Sequence, residues 1–89
     1  MDYQECSSKQ TELEELFQSD PDKALIGMMD LYAEASNAMN HEVCDAVGIW
    51  LCREMTETAR EYLSQKAEKT EDLGLAKRFR EWLASSSPE

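Results

Sequence analysis

Residues 41–51 read HEVCDAVGIWL and gather the most chemically capable side chains in the chain. On a helix, His41, Cys44 and Asp45 come from adjacent turns, and two chemistries follow from them. With Cys6 from elsewhere they offer the nitrogen, sulfur and oxygen donors of a metal site. Alternatively, His41 could serve as the base for Cys44 at i+3, the minimum for nucleophilic catalysis. Neither is well supported. Three ligands on one turn crowd a single face, and no paired C-x-x-C backs them. The cysteine pair lacks an oxyanion hole, and an 89-residue chain has little room for a deep cleft beside its core.

The spacing of His41, Glu42 and Gly48 resembles the start of a zinc-protease helix. That chemistry requires H-E-x-x-H, because two histidines one turn apart hold the same ion, and one branch adds x-x-G-x-x-H. Here the second histidine position is Asp45 and the third-ligand position is Leu51, and the chain holds a single histidine. The triad cannot be assembled. Gly48 runs into Ile49-Trp50-Leu51-Cys52, which continues a helix rather than turning it. Cys44, Gly48 and Cys52 recur every four residues and would let another helix approach closely. The stretch is therefore read as core or interface, with no metal and no cofactor. No Gly-rich phosphate loop occurs, and the expectation is a protein that is not an enzyme.

Charge points elsewhere. Of the net −10, residues 1–45 carry eleven acids against Lys9 and Lys23, whereas residues 66–89 hold five of each sign. So negative a field disfavours direct binding to nucleic acid or to anionic membranes and favours a basic protein partner. Glu12, Glu14, Glu15, Asp20, Asp22, Asp30 and Glu34 come from two consecutive helices and the turn between them, and part of this set could form a continuous negative patch. Such a patch can imitate a phosphate backbone and occupy the basic groove of a nucleic-acid-binding protein. Met29, Ile49 and Trp50 are candidate apolar anchors for a partner. The functional expectation is a small acidic regulator or inhibitor of another protein, of the kind that phages and mobile elements encode. The alternatives are a structural or chaperone-like protein that masks an apolar helix of its partner, and a cysteine or metal sensor.

The elements that would position these residues are helical. Three Gly, two Pro and an abundance of Ala, Leu, Glu, Met, Lys and Gln predict an all-α chain, a compact bundle of three to four helices in one domain over residues 1–85. The spacing predicts a first helix over 3–18, shortened to 8–18 if Ser7 and Gln10 form a capping box. Asp20-Pro21-Asp22 starts a second helix, which runs to 37 or 39. Asn40 caps a third over 41–66, whose segment 43–52 is apolar almost all round and is expected at the centre of the bundle. Thr70 caps a fourth over 71–85, and 86–89 reads as a frayed tail.

A homodimer is allowed for, since Ile26, Met29, Ile49 and Trp50 are not easily all buried in one copy. No run approaches the ~20 apolar residues of a membrane span, and the N-terminal residues lack the pattern of a signal peptide. Three cysteines leave one unpaired, and Cys44 and Cys52 on one helix stand about 12 Å apart in rise, too far to bridge. A reduced, cytoplasmic protein is the expectation.

Overall fold

A computed structural model describes residues 2–85, which form five helices: α1 (Tyr3–Leu16), α2 (Pro21–Asn37), α3 (His41–Glu54), α4 (Glu57–Lys69) and α5 (Leu73–Ser85). The expected tail at 86–89 lies outside the described residues. Each start has a local cause. Asp2, Asp20, Asn40 and Thr56 cap α1 to α4 by accepting hydrogen bonds from the backbone N–H groups of Glu5, Lys23, Val43 and Ala59. Asp72 does the same for α5, its carboxylate accepting from Gly74 at 2.9 Å and Leu75 at 3.2 Å.

Two expectations about where helices start and stop are corrected. The helix expected over 41–66 is two helices, because Met55 turns extended (ψ 125°) and Thr56 caps a new start. The Thr56 hydroxyl also donates to the Asp22 carboxylate at the start of α2, which fixes the break from outside the segment. Thr70 is not an N-cap. It closes α4, its hydroxyl donating to the Lys66 carbonyl at 2.6 Å. The first helix starts at Tyr3 as expected and ends at Leu16, short of 18: Ser7 donates to the Tyr3 carbonyl and Gln10 to the Glu14 carboxylate, so the alternative start at a capping box is not used.

The centre of the bundle is α2, not the segment 43–52. α2 packs against α1, α3 and α4, while α5 lies on α4 and α3. Its buried residues, Ala24, Leu25, Met28, Met29, Leu31 and Ala35, cover more than one stripe, as a helix with neighbours on several sides requires. α3 buries only the narrow line Val43, Val47 and Leu51. Leu63 from α4 and Phe79 from α5, both fully buried, complete the core. With extents of 36 × 32 × 18 Å, the molecule is a slab about two helices thick.

The turn from α2 to α3 is tightly specified. Asn40 N–H bonds to the Ala35 carbonyl and Met39 N–H to the Ser36 carbonyl, the paired bonds of a Schellman end. Met39 occupies the left-handed position usually held by glycine, at φ 58° and 72% exposed. A left-handed L-residue costs about 1–2 kcal/mol, and glycine loses roughly 0.5–1 kcal/mol more chain entropy on folding. Met39→Gly is therefore expected to stabilise the fold by about 0.5–1 kcal/mol, raising the thermal midpoint by several degrees.

Candidate functional site

The side chains at 41–52 that were weighed for chemistry are dispersed once the helix is in place. His41 stands exposed at the start of α3, Asp45 is exposed one turn on, and Cys6 is fully buried on α1. Among the described residues no three His, Cys, Asp or Glu side chains converge on one point. No disulfide joins any of the three cysteines. Burial pushes each thiol above its ordinary value. The Asp45 carboxylate adds to the rise at Cys44, which Arg78 partly opposes, and a hydrogen bond with Ser85 partly opposes it at Cys52. Such thiols hold little thiolate at neutral pH and are poor nucleophiles.

The repeat Cys44, Gly48, Cys52 faces α5, but across an open groove rather than in the close helix contact its spacing suggested. A methyl group placed on Gly48 would lie 3.5 Å from Nε1 of Trp82, an ordinary contact, so alanine would fit there. These residues, with Tyr32, Asp45, Ile49, Arg53, Arg78, Glu81 and Trp82, line an open groove of about 680 Å³ between α3 and α5. Trp82 is buried in the groove wall, edge-on to Tyr32 at 4.7 Å and tilted against Phe79 at 5.5 Å. Aromatic pairs at these separations hold each other's orientation.

The apolar candidates separate into three environments. Met29 is fully buried in α2, so its expected role as a surface anchor is corrected: it is core. Trp50 is half-buried, edge-on to Phe17 at 4.9 Å, and pins the end of α1 to α3. Ile49 alone of the three stands free, 55% exposed on the ridge of α3.

The acidic candidates also divide. Asp20 caps α2, and Asp22, half-buried, receives the Thr56 hydroxyl. Asp30 bridges to Lys66 at 2.7 Å, tying α2 to α4. Glu14, half-buried, takes the Gln10 amide at 2.6 Å. Glu12 lies 3.8 Å from Lys9 in an exposed pair worth little in water. Glu15 and Glu34 are exposed. A groove between α1 and α2 brings Lys9 and Lys23 beside Asp30 and Glu34, so both bases of the N-terminal half sit within the acidic set. The cap at Asp20 was readable in the sequence, but the bonds of Asp22 to Thr56, Asp30 to Lys66 and Glu14 to Gln10 were not.

Sequence reasoning also missed the α4–α5 end. There Tyr62, Gln65, Lys66, Lys69 and Thr70 line a smaller hollow, with the Lys66 ammonium 5.9 Å from the Tyr62 ring. No described helix is long and apolar enough to cross a membrane. No family model, curated protein or solved structure matches the chain.

Proposed function

We propose that the protein is a non-enzymatic regulator that binds another protein through the acidic surface of α1, α2 and the turn between them. In its sharper form it occupies the basic groove of a nucleic-acid-binding protein. The observation that carries this reading is the excess of eleven acids over two bases in residues 1–45. Glu12, Glu15, Asp20, Asp30 and Glu34 of that set are exposed. Charge of one sign spread over adjacent elements steers a basic partner and orients it on arrival. Asp20 and Asp30 can serve both ends, since a capping or bridging carboxylate on the surface keeps lone pairs for a partner.

The test is capture from lysate at ~50 mM and ~500 mM salt, between which the screening length falls from roughly 14 Å to about 4 Å. The expected catch is a nucleic-acid-binding protein held only at low salt. The triple variant Glu12→Gln, Glu14→Gln, Glu15→Gln should then weaken the complex about tenfold, because rim charges contribute some tenths of a kcal/mol each. Glutamine keeps the acceptor that Glu14 offers Gln10, so the fold is preserved. Unchanged affinity in that variant overturns the acidic reading. A partner retained at high salt moves the function to the apolar surface around Ile49 and supports masking of a partner helix instead.

A further inference from the structure

The exposed ridge of α3 carries Asp45, Ile49 and Arg53, spaced four apart, so an acid, an aliphatic group and a base follow one another along one line of the helix. All three are exposed. Neither Asp45 nor Arg53 has an ion-pair partner in the chain among the described residues. At 1.5 Å of rise per residue the two charges stand about 6 Å on either side of Ile49. A line of this kind is complementary to itself when reversed. A two-fold axis through Ile49 sets each Asp45 against the other copy's Arg53 and leaves the two isoleucines together at the centre.

Shape agrees with charge. Ile49 borders a concavity on each side: the groove floored by Cys44, Gly48 and Cys52 towards α5, and a smaller one of about 310 Å³ with Trp50, Arg53 and Glu54. A ridge beside a groove of small residues is the arrangement that lets two helices interlock. Gly48 leaves the floor of that groove open although alanine would fit against Trp82.

We propose that the occupant of this face is a second copy of the chain, joined as an isologous dimer through antiparallel α3 helices with reciprocal Asp45–Arg53 pairs around Ile49. An isologous contact needs a self-complementary surface, and this line supplies one. The inference goes beyond the proposed function and does not depend on it, since it concerns the purified chain alone. The contact rests on three side chains from each copy, and a weak dimer is expected, with a dissociation constant on the order of 10 μM.

The experiment is sedimentation equilibrium of the full chain at ~150 mM salt. There a screening length of about 8 Å damps the repulsion between two net-negative copies and spares charges in contact. Ile49→Glu should weaken the dimer at least tenfold without loss of helicity, because the side chain it replaces is exposed. Asp45→Arg and Arg53→Asp should each weaken it at least tenfold, since each places like charges together twice. Their combination in one chain should return it to within about threefold of the original. An equimolar mixture of the two single variants should form a heterodimer, one member carrying both bases and the other both acids. A chain monomeric up to ~1 mM overturns the proposal and leaves the face to a foreign apolar helix. So does a dimer indifferent to Ile49→Glu, or a double reversal no tighter than the singles.

Discussion

Asn40→Ala is expected to cost about 2–4 kcal/mol, a large part of the stability of a chain this short. Asn40 is the one fully buried polar side chain among the described residues, and each end of its amide has a task. The oxygen accepts from Val43 N–H at 3.0 Å and starts α3. The nitrogen donates to the Tyr3 carbonyl at 3.0 Å and to the Ser7 hydroxyl at 3.4 Å, which binds α1 to the α2–α3 turn. Alanine removes the cap and both donors together. Asn40→Asp separates the two roles, because it keeps the acceptor and replaces the donor with a carboxylate oxygen facing a carbonyl. Only the protonated acid can donate there, so its folded pKa lies above the unfolded carboxylate value of about 3.9. Relative to the unsubstituted protein, the Asp variant should be most stable below that value. It should lose stability as pH rises through the raised folded value. Urea unfolding at pH 3.5 and pH 7 measures the difference. An equal gap at both values would show that the amide nitrogen contributes nothing.

Phe79→Ala should be costlier still, about 3–5 kcal/mol from lost transfer energy and the cavity left behind. Phe79 is fully buried and supports Trp82, which in turn faces Gly48 and Tyr32. Its removal therefore loosens the attachment of α5 to α3 and α2 at once. In a slab two helices thick, few other side chains can move in to fill the space. The variant should unfold at a much lower urea midpoint, with a broadened near-ultraviolet signal from Trp82. Phe79→Leu, which conserves most of the volume, should cost only about 1.5 kcal/mol. Similar midpoints for the two variants would mean that the site collapses around the cavity.

Where local chemistry decides the structure, the sequence is readable. Asp20-Pro21-Asp22 and Asn40 mark the starts of α2 and α3, because capping depends on residues three apart. The break at Met55 and Thr56 is hidden for the opposite reason. Met55 continues the apolar stripe, neither residue is Gly or Pro, and one stabilising bond comes from Asp22, 34 positions away. The central place of α2 is hidden as well. α3 has the more continuous apolar run, but composition does not say which face meets which neighbour. The same gap put Met29 on the surface, and it hid the bonds that Asp22, Asp30 and Glu14 make inside the chain. Ile49 was legible as a candidate. That it stands exposed between Asp45 and Arg53 required knowing which line of α3 faces outward.

The order in which the helices pack has a kinetic consequence. α1 lies on α2, α2 on α3 and α4 on α5, so most of the core joins segments that are already neighbours along the chain. Bringing them together closes short loops, and the entropy of closure grows with loop length. Helical proteins dominated by such local contacts fold in microseconds to milliseconds. The α2–α4 and α3–α5 contacts join more distant segments and are expected to form later. Fast folding of this kind predicts that apolar surface on α2 and α5 is exposed only briefly, so refolding should be little troubled by aggregation.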